Sequence, residues 1–159
     1  MKYGVAVLSV IPLRGDTSHK SEIVSELLFG EIYEIKEEKN GWLRIVCNYD
    51  NYEGWIDRNQ HKALSEKDFD SIVQNNCGLA LELVSNATSG HNSIPVVCGS
   101  NLPLFDGMNF KIGKEKFIYN GLAIQSEAKS AALLERVAMR YLNAPYLWGG
   151  RSPFGIDCS

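Results

Sequence analysis

Short apolar segments separated by turn signals fill the first part of the chain. The run at residues 5–11 predicts a first β-strand, and the β-rich segments on either side of Asn40-Gly41 predict a hairpin. An Asn-Gly step supplies the positive φ that a tight hairpin turn needs. Several such strands, with no long helical period, predict a small β-barrel over residues 1–61.

The pattern changes at residues 62–76, which we interpret as a linker helix. Ser65 stands before the acidic residues of a first helical turn, as an N-cap does. The spacing of Phe69, Ile72 and Val73 predicts that these three side chains face inward.

A second β-rich region follows over residues 77–126, and we predict a second small barrel there. Strand-like segments fall at residues 79–84, 94–98, 102–105 and 117–119. The intervening residues 85–90 are rich in Ser, Asn and Gly, and this composition predicts a loop.

From about Glu127 the chain is expected to be helical. Its apolar residues recur at steps of three and four: Leu133, Leu134, Val137, Ala138, Tyr141 and Leu142. Pro145 is expected to end the helix, because the residue before a proline is pushed out of the α region. So wide an apolar face needs a partner, so residues 127–159 are expected to begin a third domain that is cut short.

Composition narrows the classes of function. The chain has 159 residues, 45% of them apolar, and a formal net charge of −3, which argues against a nucleic-acid partner. No apolar run approaches the roughly 18 residues of a membrane span.

The four cysteines form no CxxC pair and no metal-like spacing with the three histidines, so we expect neither metal nor cofactor. Pro12 and Arg14 interrupt the N-terminal apolar run, so we expect no export signal and a cytoplasmic location with reduced thiols.

Three segments of the first region carry a resemblance. Gly30-Glu31-Ile32-Tyr33-Glu34, Gly41-Trp42-Leu43 and Gly54-Trp55-Ile56 together resemble a bacterial SH3-like domain. Trp42 is interpreted mainly as a core anchor. For Trp55, a core role and a place beside a loop groove stay open.

The end of the chain carries a second, more specific resemblance. Ala144-Pro145-Tyr146-Leu147-Trp148-Gly149-Gly150, followed by Ile156-Asp157-Cys158-Ser159, resembles the catalytic entry of NlpC-type murein cysteine peptidases. The resemblance implies a mainly β chain of two SH3-like barrels, followed by the first helix and catalytic loop of an α+β papain-like domain. It also implies the subgroup that cleaves γ-D-glutamyl–diamino acid bonds in murein peptides.

Cys158 takes the place of the nucleophile in this resemblance. A thiol with a pKa near 8.5 is only a few per cent thiolate at neutral pH, so it needs a nearby histidine or a helix N-terminus. The three histidines, His19, His61 and His91, all precede it. The family's histidine is therefore expected in a missing C-terminal catalytic segment, and this chain alone is expected to be inactive.

The resemblance also implies residues that bind substrate. Tyr146 and Trp148 wall the groove, and Asp157 and Ser159 contact the peptide. An acidic residue and a tyrosine of the first SH3-like domain read the free amino group of L-Ala, for which Glu22 and Tyr52 are the candidates. Alternatives stay open: Trp148 as a filler between domains, Asp157 as a helix N-cap and Glu22 as a solvent-facing charge.

Two functions from different classes remain. The first is the N-terminal portion of a bacterial peptidase of cell-wall recycling that acts on L-Ala-γ-D-Glu-diamino acid peptides. The second is a binding module in which paired SH3-like domains hold murein peptide or cell wall without cleaving it.

Overall fold

The computed structural model describes residues 2–125 and 130–158. The first half contains strands β1 Tyr3–Val5, β2 Val10–Arg14, β3 Ile23–Leu28, β4 Ile32–Lys39, β5 Trp42–Cys47, β6 Glu53–Asp57 and β7 Lys62–Leu64, then helix α1 Glu66–Gln74. The second half contains β8 Cys77–Ala80, β9 Val84–Ser89, β10 Asn92–Val97, β11 Asn101–Pro103, β12 Asn109–Ile112, β13 Glu115–Tyr119, β14 Ala123–Gln125, helix α2 Ala131–Arg140, β15 Arg151–Ser152 and β16 Gly155–Ile156. The predicted mainly β fold is confirmed.

The first seven strands form one antiparallel sheet in the order β3-β2-β6-β5-β4-β1-β7. The predicted hairpin is confirmed, because Asn40 and Gly41 join β4 to β5 with φ values of 51° and 80°. Alternate residues of the strands point inward, which encloses a core of fully buried side chains. This core includes Ile11, Leu13, Leu27, Tyr33, Ile45 and Ile56.

Three sequence predictions need correction here. The run at residues 5–11 is not one strand: β1 pairs with β4 and β7, whereas β2 pairs with β3 and β6. The predicted helix does form, with the Ser65 hydroxyl accepting from the Asp68 amide, but residues 62–64 before it are strand β7. Phe69 and Ile72 are buried as predicted, whereas Val73 is 52% exposed, so the prediction that it faces inward is wrong.

The second unit consists of a four-stranded sheet, β10-β9-β13-β12, and a three-stranded sheet, β11-β8-β14. The loop predicted at residues 85–90 is wrong, because most of it lies in strand β9. β10 pairs with this strand on one side and β13 on the other, and Ala87 in its middle is fully buried. Tertiary pairing therefore overrides the turn-forming composition.

Phe29, directly after β3, joins the two units through one shared core. Its ring packs edge-on against Phe110 at 5.8 Å and Phe117 at 5.9 Å, both from the second unit. Tyr3 of β1 also stacks on Phe69 of α1 at 4.1 Å. The second unit's hydrophobic cluster thus extends into the first sheet instead of ending at a linker.

Helix α2 begins after Ser130, whose hydroxyl accepts from the Leu133 amide. Its predicted beginning near Glu127 lies outside the described residues. The helix attaches to the second unit through Arg140, which donates to the Leu81 carbonyl at 2.8 Å, and Tyr141, which donates to the Cys98 carbonyl at 3.4 Å. Leu134 and Leu142 remain largely exposed. Within residues 2–125 and 130–158, neither helix has the length and apolar character needed to cross a lipid bilayer.

Replacing Phe29 by Ala is expected to reduce the free energy of unfolding by about 3–5 kcal/mol, because it leaves a cavity in the shared core. Urea denaturation followed by circular dichroism measures the loss. The control Ile118→Ala, at a half-exposed position of β13, is expected to stay within about 1 kcal/mol. An effect of Phe29→Ala no larger than the control's would contradict the shared core.

Candidate active site

The residues before Cys158 form a compact loop that is closed by backbone hydrogen bonds. The amide of Leu147 donates to the Ile156 carbonyl at 3.0 Å, and the amide of Ile156 donates to the Pro145 carbonyl at 3.0 Å. Strands β15 and β16 close the remaining loop as a short hairpin. The segment from Pro145 to Asp157 is therefore fixed by its own backbone.

Gly149 and Gly150 lie where backbone segments approach each other closely. Gly149 has a φ of 72°, and a Cβ there would lie 2.5 Å from the Ile23 carbonyl oxygen. A Cβ on Gly150 would collide with the Gly155 carbonyl. Only glycines let this loop rest against β3 of the first sheet.

Three glutamates in or next to strand β3 hold the loop. The Trp148 indole Nε1 donates to Glu22 at 2.6 Å, and the Arg151 amide donates to Glu26 at 2.8 Å. The Arg151 guanidinium forms a two-pronged pair with Glu31, at 2.7 Å and 3.1 Å. These bonds join the loop before Cys158 to one edge of the first sheet.

The Glu31 carboxylate is the most enclosed of these groups, with a side chain only 5% exposed. It also accepts from the Leu28 amide at 2.9 Å, so its charge is stabilised from both sides. Burial opposes the charge on Arg151, but the neighbouring Glu31 outweighs this and raises the pKa of the guanidinium. The Arg151 guanidinium is therefore charged at all ordinary pH values.

A cavity of about 650 Å³ lies between the loop and the first sheet. Its lining comes from three places: β3, the turn between β5 and β6, and the segment after Trp148. The lining residues are Val24, Ser25, Tyr49, Asp50, Tyr52, Gly149, Gly150, Arg151, Ile156 and Asp157. A ligand there would meet two carboxylates, two phenol rings and one guanidinium.

The structure brings some of the predicted site residues together. Tyr52 and Asp157 line the same cavity, and Glu22 is bonded to Trp148. Tyr146 bridges to Ile156 and is largely exposed, as is Trp148. Cys158 follows Asp157 directly and is exposed, whereas Ser159 lies outside the described residues.

Sequence reasoning missed Tyr49, Asp50 and Arg151. Tyr49 and Asp50 lie in the turn after β5, where an acidic residue next to aromatics resembles any solvated turn. Asp50 accepts from the Tyr52 amide at 2.9 Å, so this turn presents both residues to the cavity. The one available signal for Arg151 was its position directly after two glycines.

Cys158 differs from the other three cysteines in its surroundings. Burial raises the pKa of Cys47 to about 12 and that of Cys77 to about 11, and it also raises the pKa of Cys98. These three thiols are poor nucleophiles because little thiolate forms. Exposure leaves Cys158 as the accessible thiol of the described residues.

The three histidines lie in other parts of the structure. His19 pairs with Asp57 at 3.4 Å, and His61 is hydrogen-bonded to the Tyr33 hydroxyl at 2.9 Å. His91 is exposed at the turn between β9 and β10. Among the described residues that line the cavity, there is no histidine.

Comparison with known proteins agrees with this geometry. Residues 13–60 match the family described as the bacterial dipeptidyl-peptidase SH3 domain. A γ-D-glutamyl-L-lysine dipeptidyl-peptidase of Bacillus cereus is 23% identical over 89% of this chain, and its Bacillus subtilis counterpart is 27% identical over 86%. Dipeptidyl-peptidase 6 of Lysinibacillus sphaericus is 27% identical over 98%.

Solved structures show the same fold. An NlpC/P60 family protein from Bacillus cereus superposes with a TM-score of 0.79 at 16% identity, covering 98% of this chain and 68% of its own. An NlpC/P60 endopeptidase of Photobacterium damselae subsp. piscicida gives a TM-score of 0.68 at 16% identity, covering 92% and 38%.

The resemblance to SH3-containing NlpC-type peptidases is confirmed. This chain spans about half the length of the two γ-D-glutamyl-L-lysine dipeptidyl-peptidases, 49% and 50%, and 65% of dipeptidyl-peptidase 6. The mainly β fold predicted from that resemblance is confirmed as well. The roles of the individual site residues remain predictions.

The contact between Gly149 and β3 leads to a prediction about stability. Gly149→Ala is expected to destabilise the protein by about 1–3 kcal/mol more than Gly90→Ala, because a methyl group must displace the Ile23 backbone. Gly90 is a matched control: it also has a positive φ, 58°, but a Cβ there meets nothing within 4 Å. Urea denaturation compares the two. Equal losses would show that the close approach does not constrain the loop.

The cysteine environments predict selective modification. Iodoacetamide at pH 7.5 is expected to alkylate Cys158 at least about 100-fold faster than Cys47 or Cys77, given how little thiolate those two form. Mass spectrometry of the native protein measures the rates. Cys158→Ser should remove the fast phase, and unfolding in urea should expose all four thiols. Rapid labelling of Cys47 in the native protein would contradict the burial that we describe.

Proposed function

We propose that this chain supplies the substrate-binding wall and the nucleophile of a cysteine peptidase of the bacterial cytoplasm. Its substrates are murein peptides with a free N-terminal L-Ala, cut at the γ-D-glutamyl–diamino acid bond during cell-wall recycling. The main support is the cavity in which Tyr52 and Asp157 lie together, directly before Cys158. Two relatives are γ-D-glutamyl-L-lysine dipeptidyl-peptidases, which supports cleavage of the same type of bond.

The charges around the cavity suit such a peptide. An N-terminal ammonium is favoured by carboxylates in a partly enclosed space, where charge-assisted hydrogen bonds are strong. Asp50 and Asp157 both line the cavity, and Tyr52 lies beside them. Glu22 is exposed and already accepts from Trp148. We therefore propose that Glu22 acts by orienting Trp148 and that Asp50 with Tyr52 reads the ammonium.

The proposed reaction uses the Cys158 thiolate. Its sulfur attacks the γ-carbonyl carbon of D-Glu, the carbon–nitrogen bond breaks, and the diamino acid leaves as a protonated amine. Water then hydrolyses the thioester and returns the thiol. A base must take the thiol proton, yet His19, His61 and His91 have their contacts elsewhere. We therefore propose that these 159 residues bind the peptide without turning it over.

Binding of L-Ala-γ-D-Glu-L-Lys by calorimetry tests the proposed substrate. Blocking the peptide's amine with an acetyl group is expected to weaken binding by about 10–100-fold. This loss of affinity corresponds to the free energy of one charge-assisted hydrogen bond. Asp50→Asn should cause a loss of the same order, whereas Asp70→Asn, at an exposed position on α1, should cause none. Equal affinity for free and acetylated peptide would overturn the proposed amine recognition. Absence of binding would overturn the proposed function.

A non-catalytic binding module is the second candidate, and the positions of the histidines favour it for these 159 residues taken alone. Incubating the chain with the tripeptide and analysing products by mass spectrometry tests whether these 159 residues alone turn the peptide over. Binding without products agrees with our proposal. Turnover that disappears in Cys158→Ala would show that the described residues contain a working base.

A further inference from the structure

We infer that Arg151 is a positioning residue that sets the shape of the peptide-binding cavity. The inference rests on the proposed function for the identity of the ligand. It goes beyond that function by assigning a role to a residue outside the resembled motif. Arg151 lies where the boundaries of the cavity meet, and most of its hydrogen-bonding capacity is directed at the protein.

The first boundary is the edge of the first sheet. Arg151 binds it in three ways: its amide donates to the Glu26 side chain at 2.8 Å, its Nη1 donates to the Glu26 carbonyl at 2.6 Å, and both terminal nitrogens hold Glu31. The carboxylates of Glu26 and Glu31 belong to residues that are almost fully buried. A flexible or neutral side chain at this position could not satisfy the same acceptors.

The second boundary is the turn between β5 and β6. The guanidinium carbon of Arg151 lies 5.8 Å from the centroid of the Tyr49 ring, within cation–π range. Tyr49 lines the cavity, and the same turn carries Asp50 and Tyr52. The charge of Arg151 thus faces the wall that we propose to read the ammonium.

The third boundary is the strand that leads to the nucleophile. Arg151 is the first residue of β15 and pairs with Ile156 of β16, directly before Asp157. The Asp157 amide donates to the Gly150 carbonyl at 3.2 Å, next to Arg151. A shift of Arg151 therefore moves Asp157 relative to Tyr52, although Arg151 itself need not touch substrate.

A structural role and a positioning role give different results in a set of four variants. Arg151→Met removes the charge and leaves Glu31 buried without its partner. Arg151→Lys keeps the charge but cannot form the two-pronged pair with Glu31. Glu31→Gln combined with Arg151→Met removes both charges. The matched control is Arg44→Met, which breaks an exposed pair with Glu53 on the same sheet.

Affinity for L-Ala-γ-D-Glu-L-Lys is measured by calorimetry at a temperature at which circular dichroism shows every variant folded. We expect Arg151→Met to weaken binding by about tenfold or more, Arg151→Lys by less, and Arg44→Met not at all. The double variant should regain most of the thermal stability lost by Arg151→Met, because no buried charge is left unpaired, but it should not regain affinity. Hydrogen exchange of the amides of residues 147–157 should accelerate in Arg151→Met, while amides in β4 and β5 keep their rates.

Recovery of affinity together with stability in the double variant would overturn the inference, since Arg151 would then matter only for folding. Unchanged affinity in a folded Arg151→Met protein would overturn it too. Failure of the unaltered chain to bind the tripeptide would instead overturn the proposed function. In that case the exchange measurement still decides whether Arg151 fixes the loop.

Discussion

The Glu31 carboxylate is the group on which the arrangement of the site depends. It lies almost without solvent contact directly before β4, where an unpaired charge is costly, and the Leu28 amide satisfies only part of its hydrogen-bonding capacity. Arg151, 120 residues further along the chain, supplies the opposite charge and the remaining hydrogen bonds. Removing one partner from a buried ion pair costs about 3–5 kcal/mol, so this pair stabilises the contact between the loop and the first sheet. The need to pair a buried carboxylate beside the first sheet thus determines where the loop lies.

The cavity follows from this constraint. Trp148, Arg151 and the two glycines bring the loop onto β3, and the space left beside it is bounded by the turn that carries Tyr49, Asp50 and Tyr52. No described residue of the second unit lines this space. The second unit contributes indirectly, because Phe110 and Phe117 pack on Phe29 at the end of β3. Binding surface and mechanical support are therefore supplied by different parts of the chain.

Turns and helix caps could be predicted from the sequence, because they depend on neighbouring residues. Asn40-Gly41 has few alternatives to a tight turn, and Ser65 caps the helix that the spacing of apolar residues predicted. Strand β9 could not be predicted, because its polar residues adopt the strand conformation only through pairing with β10 and β13. The exposure of Val73 likewise depends on which neighbour covers α1.

The site was predictable to a different degree. The motif around Tyr146, Trp148, Asp157 and Cys158 consists of residues close in sequence, so it could be recognised without the structure. The partners of that motif come from the first sheet and its connecting turns, and only the fold brings Asp50 and Glu31 close to residues about 100 positions away. Glu22 shows the difference, since its proximity to the loop was expected but its bond to the Trp148 indole was not.

The shared core around Phe29 also limits how this architecture can change. Phe29, Gly30 and Glu31 are consecutive: the first is packed into the second unit, the second leaves no room for a side chain beside Asn101, and the third holds Arg151. An unrelated SH3-like module exchanged for the second unit would have to accommodate Phe29 and Gly30 in the same way, or the strain would reach Glu31 one residue later. The two units are thus coupled, and a change in the core that they share can move Glu31 and, through Arg151, the loop that bounds the cavity.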